Sequence, residues 1–262
     1  MGEAQMKRSK SFVAQRRKTI AQILRDRKRV SVAELSDRLS ISPLTVRRDL
    51  DYLEERGVLT RRYGEALLAE DSQASPSASR RERAHEAIAR EAAKLVRERD
   101  SVFVNTSTTA LGVIPHIDAE GVTVITNSAR AMGSNIPPTM TVLLTGGEVP
   151  APRSVMGGEF ALNNIRMVSP QRCFLGCAGI TADTGITSLT LQEATVNSLM
   201  IERSDQHVLL MDSSKFGVEA GFRYASAADI DLLITDVDAP ADVLDAMRRA
   251  GVGEILVVDP DE

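Results

Sequence analysis

Apolar residues follow two different rhythms along the chain, and the change of rhythm divides it. Over the first quarter they fall at helical spacing. Phe12, Ile20, Ile23 and Leu24 share a face, predicting a first helix that fades near residues 27–29. Ser31 and Glu34 have the spacing of a capping box ahead of apolar Val32, Leu35 and Leu39, so a second helix starts there. Ser42 then serves as N-cap, and Pro43 occupies a first helical position where a missing N–H costs nothing. In this third helix Val46, Leu50 and Leu53 lie at i, i+4 and i+7 on one face. Thr45, Arg47, Arg48 and Asp51 lie on others, until Gly57 closes the helix. Two short apolar runs around Tyr63-Gly64 read as a β-hairpin. Three helices and a hairpin predict a winged helix-turn-helix.

Beyond residue 100 the rhythm changes to short β-rich runs: "SVFV", "VTVIT", "TVLLT", "RCFLG", "HVLLM", "LLIT" and "EILVV". They alternate with helical stretches at 82–99, 108–117, 159–167, 191–203 and 241–250. Strands apolar on both sides, alternating with helices, predict a mostly parallel sheet covered on both faces. The fold class expected is therefore α/β, a small winged helix-turn-helix followed by a larger, mostly parallel α/β domain. The boundaries expected are the winged helix-turn-helix domain over 1–69, a linker over 70–80 and the α/β domain over 81–262. The linker is marked by "EDSQASPSASR", rich in Ser and Ala.

Charge sharpens the division. The net charge of −4 hides a split: residues 1–69 carry 16 Lys and Arg against 9 Asp and Glu (+7), and residues 70–262 carry 16 against 27 (−11). A basic module joined to an acidic one points to a polyanionic partner for the first alone. No run of 18 apolar residues suggests a membrane span, and the basic N-terminus lacks the apolar region of a secretion signal. Two cysteines without a partner pattern suit a reducing cytoplasm.

Candidate chemistry follows from these placements. The third helix is expected in the DNA major groove, with Ser42, Leu44, Thr45, Arg47 and Arg48 toward the duplex and Arg61 and Arg62 of the hairpin on phosphates. Arginine suits both tasks, because its planar fork donates two hydrogen bonds to guanine or grips phosphate. In the α/β domain, ligands bind beyond the carboxyl ends of parallel strands. Those ends hold Asn105, Thr106, Ser107, Thr108 and Thr109, then Asn127, then Gly146 and Gly147, then Cys177 to Ile180, and finally "DSSKFG" with Lys215. A Thr/Ser run and one lysine suit an anion, although such a run is also an ordinary helix cap and a Gly pair an ordinary turn. Lys215 could equally pair with Asp212. No metal site or cofactor is expected, since no His or Cys cluster has ligand spacing and no phosphate-binding Gly-rich fingerprint occurs.

"VSVAELSDRLSISPLTVRRDLDYLEERGVLTRRYGEALL" resembles the N-terminal domain of DeoR-type bacterial transcription regulators, in its Glu-Leu and Thr-Val-Arg-Arg-Asp-Leu segments and the following Leu-Glu-x-x-Gly-x-Leu. The wing departs from the family's His-Gly-Gly-Ala, with Tyr63 and Glu65 for the His and second Gly. "VTVITNS", "LLTGGE", "CFLGCAGITADTGIT" and "DSSKFG" resemble the DeoR-type effector domain. That resemblance implies a fold similar to ribose-5-phosphate isomerase and sensing of phosphorylated sugars or their metabolites. The family's Asp-x-Gly-Thr-Thr is here Asn105-Thr106-Ser107-Thr108-Thr109. Glu193 matches the family's glutamate, while Asn197 and His85 stand where lysines are common.

Function expected on these grounds is DNA-binding transcription regulation, as a repressor of carbohydrate-metabolism genes tuned by a phosphorylated sugar. The partners expected are a double-stranded DNA operator, that small effector, and further copies of the chain as a dimer or tetramer, with no membrane. The alternatives are a sugar-phosphate isomerase and a protein-interaction adaptor with a degenerate sensor. Leu175-Gly176-Cys177-Ala178 is apolar where the resemblance would put an isomerase's carboxylates, which argues against catalysis.

Overall fold

The computed structural model describes residues 16, 17, 19–24, 27, 29–39, 41, 42, 45, 46, 49, 50, 53, 59–62, 65–68, 76–150 and 155–261, with backbone alone at 29, 33, 59–62, 65–68 and 76–79. The chain divides into two compact units, Met1–Ser79 and Arg80–Glu262.

In the first unit the helical periodicity is realised as packing. Residues 19–24 are helical, α1 spans Val32–Leu39, and residues 45, 46, 49, 50 and 53 are helical again. Ile20, Ile23, Leu24, Val30, Leu35, Val46, Leu50 and Leu53 form one buried cluster. The capping box closes reciprocally: the Ser31 N–H donates to Glu34 Oε2 at 2.8 Å, and the Glu34 N–H to Ser31 Oγ at 3.1 Å. The Thr45 N–H donates to Ser42 Oγ at 3.2 Å, the N-cap bond anticipated for the third helix. Asp49 is buried and accepts from Arg16 Nε at 2.5 Å and Arg17 Nε at 2.8 Å, tying the first helix to the third. The hairpin is present as β2 (Leu59–Arg62) and β3 (Glu65–Leu68). A strand not anticipated, β1 (Arg29–Ser31), pairs with β3 where the first helix was expected to fade.

The second unit is built on seven parallel strands. They are β4 (Ser101–Val104), β5 (Thr123–Thr126), β6 (Thr141–Leu144), β7 (Arg172–Leu175), β10 (Gln206–Leu210), β12 (Leu232–Asp236) and β13 (Glu254–Val258). Their spatial order is β13-β12-β10-β7-β4-β5-β6. The chain runs outward from β4 through β5 to β6, then returns beside β4 and runs the other way from β7. The order therefore reverses between β4 and β7. Alternate residues of each strand feed two cores. Val102, Val104, Val124, Phe174, Val208 and Ile234 pack on one face with Ile88, Ala89 and Ala92 of α2 (Pro76–Ala93). Phe103, Ile125, Cys173, Leu175, Leu209 and Leu233 pack on the other. There they meet α4 (Gly158–Arg166), α5 (Leu191–Glu202) and α6 (Ala241–Arg249) through Ile165, Val196, Met200 and Met247.

Three expectations change. The helix expected over 82–99 starts at Pro76, inside the stretch read as linker, and ends at Ala93. The helix expected over 108–117 is a single turn, α3 (Thr108–Leu111), followed by a 3₁₀ turn at Ile114–His116, because Pro115 cannot donate into a longer helix. A second, antiparallel sheet of β8 (Gly179–Thr181), β9 (Gly185–Ser188) and β11 (Phe222–Ala225) was not anticipated. Its strands are short, and β8 and β9 are rich in Gly, Thr and Ser, so no apolar run marks them.

Candidate functional site

The reversal of strand order opens a cleft of about 380 Å³ at the carboxyl ends of β4, β7 and β10, where open α/β sheets bind ligands. The segment after β4 lines it with Asn105, Thr106, Ser107, Thr108 and Thr109, and that after β7 with Gly176, Cys177 and Ala178. Met211, Asp212 and Lys215 come from beyond β10, and Glu193 and Asn197 from α5. His85 of α2 and Ser188 and Leu189 at the end of β9 complete it.

Gly176 lies just beyond β7, packed against Ser107 of the segment that follows β4. A Cβ there would sit 2.0 Å from Ser107 Oγ, so only glycine fits. Asn105 joins the two strand ends and has no polar atom left over. Its Nδ2 donates to Gly176 O at 2.9 Å and to Asn197 Oδ1 at 3.3 Å, while its Oδ1 accepts the N–H of Gly176 and of Ser107, both at 3.1 Å. Asn197 Nδ2 passes the network on to Ser188 Oγ at 3.2 Å. Asn105 therefore shapes the wall. Thr108 Oγ1 receives Arg130 Nη2 at 3.4 Å, and Arg130 lines a neighbouring hollow rather than this cleft.

The charged groups have distinct states. Asp212 is buried, which by itself pushes its carboxyl up, but hydrogen bonds from His85 and Ser214 outweigh that and hold it well below the usual carboxylate range. His85 Nε2 lies 2.8 Å from Asp212 Oδ2, the Ser214 N–H donates to Oδ1 at 3.0 Å, and Arg81 Nε stands 3.7 Å off. Lys215 is not the partner of Asp212. Its ammonium has no hydrogen-bond or ion-pair partner among the described residues, so the cleft contains an uncommitted cation. Glu193 caps α5 together with Thr190, accepting Thr190 Oγ1 on Oε2 at 3.0 Å and donating its N–H to Thr190 Oγ at 3.2 Å. Desolvation pushes the Cys177 thiol up to about 12, which favours the protonated form.

Of the residues expected at the strand ends, Asn105 to Thr109, Glu193 and Lys215 come together. Asn127, Gly146 and Gly147 do not line this cleft. Asn127 is buried and donates to Met156 O at 3.1 Å, while Gly146 and Gly147 turn the chain with φ of 67° and 105°. A Cβ on Gly147 would lie 2.3 Å from Gly157 O, so this glycine serves backbone packing. Both segments follow β5 and β6, on the far side of β4 from β7, which is why they miss the reversal point. The cleft also takes residues not expected to act there, chiefly His85 and Asp212. Asp212 opens the "DSSKFG" segment beyond β10, and His85 is singled out in the sequence only through the family resemblance. In the first unit Ser42 Oγ and Thr45 Oγ1 lie 2.9 Å apart, and Arg61 and Arg62 lie on β2. Leu44, Arg47 and Arg48 lie outside the described residues.

A helix-turn-helix unit joined to a parallel α/β unit with a cleft at its reversal point defines a sensor-type transcription regulator. The model of the DeoR-like helix-turn-helix domain matches residues 16–72, and that of the DeoR C terminal sensor domain matches residues 80–237. An uncharacterized HTH-type transcriptional regulator of Bacillus subtilis, YulB, is 34% identical over 86% of this chain and 89% of its own length. The glycerol-3-phosphate regulon repressor of Escherichia coli is 27% identical over 89% of this chain and 94% of its own. The chain belongs to the DeoR family and is a DNA-binding transcriptional regulator. A ribose-5-phosphate isomerase from Plasmodium falciparum aligns with 50% of this chain and 52% of its own at 17% identity and a TM-score of 0.36, too low to add to the assignment. Among the described residues no helix is long and apolar enough to cross a membrane.

Proposed function

We propose that the chain is a cytoplasmic repressor of carbohydrate-metabolism genes, that its cleft binds a phosphorylated sugar or related metabolite, and that this binding changes its affinity for a DNA operator. The observation that carries the reading is the uncommitted Lys215 ammonium, in a cleft of about 380 Å³ that also presents Thr106 and Thr108. A point charge beside hydroxyl donors is what one phosphate monoester requires. The E. coli relative's name, with its glycerol-3-phosphate regulon, agrees with a small phosphorylated metabolite.

In this reading the protein is not an enzyme. Aldose–ketose isomerisation needs acid and base groups around the carbonyl, and the segment after β7 that lines the cleft, Gly176, Cys177 and Ala178, carries no carboxylate. Operator contacts are assigned to Ser42, Leu44, Thr45, Arg47, Arg48, Arg61 and Arg62. The chain works as a dimer or tetramer, because one recognition helix reads only a few base pairs.

The deciding measurement is operator affinity for wild type and Lys215→Ala, with and without a panel of sugar phosphates. Wild type should respond to at least one compound, and Lys215→Ala should bind operator normally and respond to none. A Lys215→Ala protein that responds like wild type would remove the site assignment.

A further inference from the structure

The seven-stranded sheet ends in two very different edges. At β13 the strand begins with Glu254 and is followed by Asp259 and Asp261, and Arg80 and Arg83 pair with Asp238 and Asp261 beside it. Charges of this kind keep an edge from pairing with another strand. Among the described residues nothing does this at β6. Residues 131–147 contain no charged side chain, in a chain where 26% of residues are charged. Leu143 is 46% exposed and Leu144 40% exposed.

The backbone of β6 is open in a regular way. It pairs in parallel with β5, and the N–H groups of Thr141 and Thr145 donate inward to Val122 and Thr126. By alternation Leu143 also points its N–H and C=O toward β5, and Val142 and Leu144 point theirs away from the sheet. Beside the strand runs α4, fastened by Asn164 Nδ2 to Thr145 O at 2.8 Å. Phe160 (76% exposed) and Met167 (80% exposed) lie at i−4 and i+3 from Asn164, on the helix face that looks to β6. Leu143 is level with Ile125, on the same side of the sheet as α4. An open strand and an apolar helix stripe thus form one surface.

We propose that two copies of this chain join through β6, paired antiparallel about a twofold axis beside Leu143, so that the two sheets become one. A second copy is the occupant the surface fits. A twofold axis permits only antiparallel pairing, and it brings the central residue against itself, where any charge would meet its like; β6 has none. Val142 of each copy then faces Leu144 of the other, and each pair exchanges the outward N–H and C=O groups. Phe160 and Met167 of each copy extend the buried area beyond a strand contact too small to hold alone. This interface rests on the regulator reading above only in that paired half-sites call for two copies.

Pairing about Leu143 is tested by cross-linking the full chain. Residues opposed at a non-hydrogen-bonded antiparallel position have Cα atoms about 4.5 Å apart, within reach of a disulfide. Leu143→Cys under mild oxidation should give a covalent dimer on a non-reducing gel, and Thr139→Cys, well away from the axis, should not. In light scattering Leu143→Lys should halve the mass of the wild-type assembly, with an unchanged melting temperature showing that the fold survives. If wild type is oligomeric but Leu143→Cys fails to cross-link and Leu143→Lys keeps its mass, the copies meet elsewhere and the interface is wrong. That result would leave operator binding and effector response untouched. A wild type that is monomeric while bound to its operator would also overturn the interface.

Discussion

Asn105 shows how a residue expected to face a ligand can be used up by the fold. Both of its Nδ2 protons go to carbonyl acceptors, Gly176 O and Asn197 Oδ1, and its Oδ1 accepts two backbone N–H groups. A carboxylate at this position would keep the acceptor bonds and set a negative oxygen against two acceptors. Asn105→Asp should therefore cost on the order of 1–3 kcal/mol, read as a lowered melting temperature. Asn197→Lys on top of it supplies a cation to the new carboxylate and should recover most of the loss; a double variant no more stable than Asn105→Asp would show that the two positions are not coupled. Asp212 makes a prediction of opposite chemical sense. Its folded-state pKa lies below the ordinary 3.8, so its ionised form stabilises the fold above about that pH, and the stabilisation is lost as pH falls toward the depressed value. Urea unfolding of Asp212→Asn compared with wild type should show the difference shrinking from about pH 5 to pH 2, chiefly below 3.8. A constant difference would mean that the charge on Asp212 does not matter.

Among the elements, those with strong apolar periodicity were legible and those without it were not. The seven parallel strands are each six-tenths or more apolar or β-branched, and their positions shift by at most one residue from the runs that predict them. β8 and β9 were missed because "GIT" and "GITS" hold one large apolar residue each, and β11 because an isolated "FRYA" fits a turn of helix as well as a strand; tertiary pairing makes all three strands. The site was legible at β4 and β10 for a topological reason, since any strand end near the reversal is a lining segment. It was misplaced at β5 and β6 because strand order is not written in any one segment. Side-chain partners such as His85 with Asp212, 127 residues apart, leave no local mark. In the first unit the same limit applies to Asp49, whose carboxylate joins two helices through Arg16 and Arg17. Asp49→Ala removes the carboxylate that accepts from both Arg16 and Arg17 and should cost roughly 1–3 kcal/mol. Hydrogen exchange over residues 16–53 should then accelerate with no change beyond residue 100, whereas uniform protection in both would show the pair to be dispensable.

At the scale of the whole molecule, a basic unit of +7 and an acidic remainder of −11 divide the work between DNA and metabolite. The basic unit sets the salt response: log K against log[salt] should fall with a slope of about −0.9 per phosphate contacted, and substitutions in the cleft should leave that slope alone. The coupling between the two sites obeys a stricter rule. Whatever factor the effector takes from operator affinity, the operator must take from effector affinity, because both factors measure one free-energy difference between the same states. For regulators that factor is typically about 5–150. Titrating a sugar phosphate that releases wild-type protein, first alone and then with saturating operator, should therefore weaken its binding by the same factor that the compound weakens operator binding. Lys215→Ala should lower affinity for the compound in both titrations and keep operator affinity at the metabolite-free value, since Lys215 has no structural partner among the described residues whose loss could disturb the fold. Two unequal factors in wild type would mean that the compound acts somewhere other than on this equilibrium, and the cleft would lose its role as the sensor.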